Sequence, residues 1–300
     1  MALSCVSLNV NGMRDSCKRN ILYQWLRDFF FDICLLQETH CSSQEDVNAW
    51  SKEWKGKAFW SPGTIMSRGV AILIKSNLDL NIVKSDRDPN SRYSNIDIKI
   101  NNSLYSIVNI YAPNNPKSRK TFLNNLNTKL KQKKQDCPDL NVIIGGDFNC
   151  TLKPTVDRRN EKGLSPKCED IGSKELYSII NDNEFEDVWR RRNPNTVKYT
   201  YHRKNSKIAS RIDMWIASKT LQANINKVGI TNPPISDHSA ITINLNTSQC
   251  ERGKGFWKMN INILNSKEFD TVFRTFWKTW EKKQTHMKAR KNGGILLKLK

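Results

Sequence analysis

The chain of 300 residues has no Cys-x-x-Cys pair and no apolar run long enough to span a bilayer. The first absence argues against zinc-ribbon and thioredoxin-type chemistry, the second against a membrane-spanning role. Met1-Ala2-Leu3-Ser4 lacks the charged and apolar regions of a secretory leader. The expectation is therefore an intracellular, soluble chain whose eight cysteines, at 5, 17, 34, 41, 137, 150, 168 and 250, are free thiols in mostly packing roles. Histidine is scarce, at four residues, and no internal repeat is evident. Acidic residues are also in deficit: 29 Asp and Glu face 49 Lys and Arg, a formal charge of +20.

That surplus favours a polyanionic partner, nucleic acid above all. It is uneven, since residues 251–300 hold 13 basic and 4 acidic residues, net +9, which leaves +11 for the first 250. Short Val/Ile/Leu-rich runs at Cys5–Val10, Ile33–Leu36, Gly69–Ile74, Leu104–Ile110 and Val142–Ile144 read as strands. Ile21, Leu22, Trp25, Leu26 and Phe29 fall at helical spacing and share one face, as do Phe122, Leu126 and Leu130 of a later segment. Asn95–Ile100 alternates, and Asn101-Asn102 then separates it from the next strand, which predicts an antiparallel hairpin in a mixed sheet. Gly163–Ser173 has no periodicity and reads as a loop, and the pattern changes again near residue 247.

Several segments carry chemistry. Ile143-Ile144-Gly145-Gly146-Asp147-Phe148-Asn149 runs an apolar strand into glycines and then presents a carboxylate and an amide at alternate positions, which strand geometry turns to one face. Hydrolysing a phosphodiester needs a base for water and a hydrogen-bond donor for the phosphate, roles that suit Asp147 and Asn149. Leu35-Leu36-Gln37-Glu38-Thr39-His40 ends a strand in a carboxylate suited to a hard cation. Ile235-Ser236-Asp237-His238-Ser239 sets an acid beside an imidazole. Arg211-Ile212-Asp213-Met214-Trp215-Ile216 places one carboxylate in an apolar strand, where burial is costly without a partner, and His238 is the candidate. Ser7-Leu8-Asn9-Val10-Asn11-Gly12 and Asn109-Ile110-Tyr111-Ala112-Pro113-Asn114 offer amides and a phenol just after strands. Taken singly, each is also what an ordinary turn or strand end would use.

In this order, from Asn9 to His238, the motifs resemble those of the endonuclease/exonuclease/phosphatase family, which includes exonuclease III and apurinic endonucleases. Asn-Val-Asn-Gly, Gln-Glu-Thr, Asn-Ile-Tyr-Ala-Pro-Asn, Gly-Asp-Phe-Asn, Arg-Ile-Asp and Ser-Asp-His are all present. The resemblance implies a four-layered α/β sandwich over residues 1–247, with two mixed β-sheets face to face and helices outside, as in DNase I. It implies a divalent cofactor, Mg2+ or Mn2+, held at Glu38, with Asn9, Asp147, Asn149, Asp237 and His238 around the metal and the scissile phosphate. Asp147 would activate water, Asp213 would orient and charge-stabilise His238, and Tyr111 and Asn114 would contact the phosphate or leaving group. Position 11 departs from the pattern: animal repair enzymes have Asn-Val-Asp-Gly there, so Asn11 removes one potential metal-site carboxylate.

Gly253-Lys254-Gly255-Phe256-Trp257-Lys258-Met259-Asn260, with Ile261–Leu264 after it, resembles the segment that joins the endonuclease of LINE-type retrotransposons to a reverse transcriptase. Residues 248–300 are accordingly expected to be a basic linker and partial helical segment opening a truncated reverse transcriptase region, with Phe269, Val272, Phe273, Phe276 and Trp280 at helical spacing. There is no Tyr-x-Asp-Asp, so reverse transcription itself is not assigned. Tyr199-Thr200-Tyr201-His202, with basic residues through Lys207 and then Arg211, resembles the hairpin such endonucleases insert near DNA. Thr200 and Arg203 would then touch phosphate, and Tyr201 or His202 would stack on a displaced base. Arg190-Arg191-Arg192 is either a solvated face or a backbone grip.

The implied activity is Mg2+-assisted nicking of double-stranded DNA, expected in the nucleus, with RNA or a reverse transcriptase region as partners in a full-length element. An apurinic/apyrimidinic repair endonuclease or 3'-exonuclease would share every catalytic residue. A phosphatase of the same family would sit oddly with +20, and a catalytically inactive nucleic-acid-binding remnant would keep the motifs without cutting.

Overall fold

The computed structural model describes residues 2–166, 169–247 and 267–290, with side chains of the last segment described over 268–280. The expected linker signature at 253–264 lies outside the described residues. In chain order the first elements are β1 (Ala2–Asn9), α1 (Ser16–Asp28), β2 (Ile33–Gln37), α2 (Gln44–Trp54), β3 (Lys57–Ser61) and β4 (Val70–Ile74). β5 (Asn81–Arg87), β6 (Tyr93–Ile100), β7 (Ser103–Tyr111), α3 (Pro116–Asp136) and β8 (Asn141–Asp147) follow. Then come α4 (Pro154–Asp157), β9 (Arg158–Arg159), α5 (Ser173–Asp182), β10 (Phe185–Asp187) and α6 (Val188–Arg192). β11 (Tyr201–His202), β12 (Ala209–Ser210), β13 (Asp213–Ser218), β14 (Ile225–Thr231), β15 (Ala240–Asn246) and α7 (Lys267–Arg290) complete the order.

Two six-stranded sheets form, ordered β14-β15-β1-β2-β4-β3 and β10-β13-β8-β7-β6-β5, beside a small sheet of β11-β12-β9. Both large sheets are mixed, because β1–β2 and β7–β8 pair in parallel and the other neighbours run antiparallel. The inner faces meet in a core that includes Leu35, Ile72, Ile107, Ile143, Trp215 and Ile243. Helices α1 and α2 cover the outer face of the first sheet through Leu22, Leu26, Trp50 and Trp54. Helices α3 and α5 cover that of the second through Leu123, Leu126, Leu130, Leu176 and Ile179. The fold is thus the four-layered DNase I-like sandwich, each fully buried Leu or Ile contributing about 1.5–3 kcal/mol.

The expected hairpin is the β6–β7 pair, with Ile100 opposite Ser103 across Asn101-Asn102. One helix reading needs correction. The packed face of α1 is Leu22, Trp25 and Leu26, whereas Ile21 and Phe29, read onto that face, are 49% and 54% exposed. Their spacing brings them near the face without pointing at the sheet, and the Asp15 cap, accepting from the Lys18 amide, fixes the helix start.

Gly145 and Gly146 are demanded by the packing of the catalytic strand. A side chain at 145 would run into the Trp215 ring and Leu35, at 2.5 and 2.8 Å, and one at 146, where φ is +151°, would meet the Ile110 carbonyl at 2.1 Å. The sheets can therefore close tightly at β8, immediately before Asp147.

Contacts divide the chain into Met1–Ser248 and Gln249–Lys300. Within the second unit, α7 carries a ladder of stacked rings, Phe269–Phe273 and Phe273–Trp277 at 5.7 and 5.8 Å between centroids. Among the described residues no helix is long and apolar enough to cross a membrane.

Candidate active site

Strand pairing decides which ends meet. Parallel pairing puts Asn9 opposite Gln37, the residue before Glu38, and Tyr111 opposite Asp147. Antiparallel pairing brings the start of β13 to the same rim, Asp213 facing Asp147. The start of β15 likewise runs back along β1, which carries His238 to that end. Asn9, Asn11, Glu38, Asn114, Asp147, Asn149, Tyr201, Asp237 and His238 thereby line one cleft of about 220 Å³. Six motifs scattered along the chain become one site.

The two sheets are stitched together by side-chain amides. Asn9 Nδ2 donates to Glu38 Oε1 at 2.9 Å and to Asp147 Oδ2 at 3.0 Å, while Asn9 Oδ1 accepts from the Asn11 amide. Just below, Gln37 Nε2 donates to Ser7 Oγ and to Asn109 Oδ1 at 3.0 and 2.7 Å, and Asn109 Nδ2 donates to the Leu36 and Ala71 carbonyls. Sequence reading placed Gln37 and Asn109 inside motifs but gave them no role. They hold the strand ends in register, so that Glu38, in the left-handed region at φ 50°, projects at a fixed place.

Asp147 and Asn149 do converge, although not by strand alternation. β8 ends at Asp147, and Asn149 adopts φ 51° with its amide N–H donating to Asp147 Oδ1 at 2.8 Å. This Asx-type turn folds the amide back toward the carboxylate. One Asn149 side-chain N–H is spent on the Ala112 carbonyl, at 2.8 Å.

His238 Nδ1 lies 2.9 Å from Asp213 Oδ2, the pairing expected from sequence. The Ser236 hydroxyl donates to the Asn9 carbonyl and accepts from the His238 amide, which pins this loop onto β1. Burial pulls the His238 pKa down, yet the charge and hydrogen bond of Asp213, helped by Asp147 and Asp237, push it up to about 10. Burial raises the Asp147 carboxyl to about 7, reinforced by Asp213 and opposed by His238. Tyr111, hydrogen-bonded to Glu38, is raised by burial and by that carboxylate.

Thr200 is a correction. Expected against phosphate, it is 0% exposed, and its Oγ1 accepts from the Ile212 and Asp213 amides at 3.1 Å each. It supports Asp213 from beneath. Tyr201 next to it forms a bridge with His238, ring centroids 4.9 Å apart, while His202 and Arg203 are exposed on the same small sheet and its turn. Arg211, read with the basic surface, is buried: it pairs with Asp157 at 2.7 Å and with Asp187 at 2.5 Å. Arg190 also pairs with Asp157, Arg191 pairs with Glu186 at 3.2 Å, and Arg192 donates to the Ile225 and Asn226 carbonyls, so that all three consecutive arginines have partners within the fold. Arg92, not singled out from sequence, stacks its guanidinium 4.8 Å over the Tyr111 ring and donates to the Tyr111 carbonyl.

The donor set fits a hard divalent cation. Glu38 and Asp147 converge on one neutral amide, and among the described residues no Lys or Arg is bonded to either, so two carboxylates meet at the cleft without a basic partner. Asp147, Asp213 and His238 also bring candidate ligand atoms within 4.8 Å of one another. Since His238 Nδ1 is committed to Asp213, that trio is better suited to proton chemistry than to caging an ion.

Fold and site together define an α/β sandwich with a buried acid–imidazole centre where the strand ends of both sheets meet. The chain belongs to the Endonuclease/Exonuclease/phosphatase family, whose profile matches residues 6–238. It is 29% identical over 282 residues to the Xenopus laevis "Transposon TX1 uncharacterized 149 kDa protein", covering 93% of this chain and 21% of that one. The chain thus spans about a fifth of that relative's length. Its fold is similar to the Xenopus laevis APE2 catalytic domain, with TM-score 0.66, 19% identity and coverage of 81% of this chain and 92% of that one. It is also similar to the 3' phosphatase NExo from Neisseria bound to a product DNA hairpin, with TM-score 0.65, 18% identity and coverage of 80% and 98%.

Proposed function

We propose that this chain is a divalent-metal-dependent endonuclease that hydrolyses DNA phosphodiester bonds, the nicking module of a LINE-type mobile element. The observation that carries the reading is the convergence of Glu38, Asp147, Asn149 and the Asp213–His238 pair on one cleft. The +20 charge and the similarity to a transposon-encoded protein support DNA and a mobile element as its setting.

A divalent cation, Mg2+ or Mn2+, held by Glu38 with Asn9 and Asp147 would supply Lewis-acid stabilisation of phosphoryl and leaving oxygens. The protein's own groups do the rest. Asp147, buried at the end of β8 and lining the cleft, takes the proton of the attacking water. His238, kept protonated by Asp213, donates to the phosphoryl oxygen, and Asn149 adds a neutral donor. Tyr111 and Asn114 contact the phosphate or leaving oxygen, and Asp237, bonded to Asn11 Nδ2 at 3.2 Å, borders the cleft. One strand is cut, leaving a 3' hydroxyl. Residues 1–247 carry this activity and 248–300 begin the region that follows it in the element, whose action on chromosomal DNA takes place in the nucleus.

The test compares an intact duplex, the same duplex with one abasic site, and an inositol phosphate, each with Mg2+. The reading expects cutting of the intact duplex and ends that a polymerase extends. Cutting confined to the abasic duplex, or phosphate release from the inositol phosphate alone, would overturn it.

A further inference from the structure

The loop from Pro62 to Gly69, between β3 and β4, presents two adjacent apolar side chains to solvent: Ile65 is 58% and Met66 82% exposed. The loop is tied down at its base. Gly63 donates to the Cys41 carbonyl at 2.6 Å, and the Thr39 and His40 amides donate to the Gly69 and Arg68 carbonyls at 3.0 Å each. Its tip is closed on itself: the Ser67 amide donates to Thr64 Oγ1 at 3.0 Å, and the Thr64 amide to the Ser67 carbonyl at 2.9 Å. Ile65 and Met66 are therefore held at the crest of a braced turn, and little conformational freedom remains to be lost when they are covered.

The position of that crest indicates what covers it. Through Thr39 and His40 the loop is bonded to the segment that carries Glu38. Ser67 and Arg68, next to the tip, line a groove of about 590 Å³ together with Arg92, Tyr111 and Asn114. Asn114 also lines the catalytic cleft, so groove and cleft adjoin at that residue. An apolar tip flanked by guanidinium groups and leading into a phosphate-cleaving centre has the chemistry of a side chain pair that enters a base step while its neighbours hold phosphates.

We propose that Ile65 and Met66 form an apolar wedge that enters a base-pair step of duplex DNA beside the scissile phosphate. The inference rests on the DNA-nicking reading above. Insertion unstacks the step and kinks the duplex, which swings the adjacent backbone toward Glu38 and Asp147. Steps that unstack cheaply are then nicked in preference, although no base edge is read.

The experiment first maps nicks made by the wild-type chain in Mg2+ on a defined duplex, then binds that duplex in chelator with 2-aminopurine placed at successive positions around the main nick. The wild type should raise emission severalfold at one step. Ile65→Ser/Met66→Ser should abolish that rise while changing affinity by less than roughly tenfold, since burial gained and unstacking lost nearly cancel. Met66→Leu alone, which keeps an apolar side chain, should retain it. Both positions are exposed, so thermal melting should confirm an unchanged fold. A double variant with the wild-type emission pattern overturns the wedge and leaves the nuclease reading standing. A wild-type chain that neither binds nor nicks duplex DNA overturns both.

Discussion

Two buried charge clusters lie within two residues of each other on the segment that enters β13, and they are balanced differently. Around Arg211, the carboxylates of Asp157 and Asp187 meet the guanidinium groups of Arg211 and Arg190. Burial pushes the Asp157 carboxyl up, but Arg211 and Arg190 overcome it and hold the pKa below its ordinary value. Around Asp213, two carboxylates meet one imidazole, burial and then the Asp213 charge push Asp147 up to about 7, and among the described residues the buried Asp213 Oδ1 has no hydrogen-bond partner. Buried aspartates thus serve opposite ends. A neutralised cluster locks loops together, whereas a cluster short of positive charge keeps an affinity for protons and cations, which a hydrolytic centre requires.

The largest effects should come from disturbing the second cluster. Asp147→Asn should lower nicking by about 10²–10⁴-fold, the range for a general base. The same change should raise the melting temperature of the metal-free protein at pH 8. The folded pKa of Asp147, about 7, exceeds the ordinary 3.8, so the stability linked to its protonation is complete below pH 3.8 and lost as pH rises through 7. Asparagine carries no charge to lose. A variant that is inactive but no more stable at pH 8 would break the contrast.

Damage to the first cluster should show in stability. Arg211→Met keeps the apolar stem but leaves Asp157 with Arg190 alone and takes the Arg211 guanidinium from Asp187, and denaturant titration should read a loss of about 3–5 kcal/mol. If the loss is below about 1 kcal/mol, this cluster is no structural lock.

Asp213→Asn should separate charge from position in the active cluster. In ring-nitrogen NMR of the metal-free protein, His238 should titrate at about 10 in the wild type and fall toward or below 6.5 in the variant. Nicking should drop with it, by on the order of 10²-fold. The stabilising interaction of His238 is complete below pH 6.5 and lost as pH rises through 10, so the wild-type melting temperature should decline across that window and the variant's should not. The smallest effect is expected at the exposed hairpin. Arg203→Ala should lower the salt dependence of DNA binding by about one counterion while leaving turnover at saturating DNA unchanged.

These contrasts also mark what was legible in the chain. Strand runs, the Asn101-Asn102 turn and the six motifs are local patterns, and the cleft they form follows once parallel and antiparallel pairing aligns their ends. The pairing of Asp213 with His238 was readable because a lone carboxylate in an apolar strand requires a partner. Arg211 was not readable, since Asp157 and Asp187 lie 54 and 24 residues away and an Arg beside a basic loop looks like surface. Thr200 was misplaced for a related reason: whether a hydroxyl faces a phosphate or two backbone amides depends on the loop that folds over it. The small sheet of β9, β11 and β12 has strands of two residues, too short for any periodicity.

The central claim is that Asp147 and His238 form the hydrolytic centre of a metal-dependent DNA nuclease. Conversion of supercoiled plasmid to open circles, with wild type, Asp147→Asn and His238→Ala side by side, tests it most directly. The account predicts open circles from the wild type in Mg2+, none with chelator, and none from either variant despite wild-type folding. Equal nicking by all three proteins would contradict it.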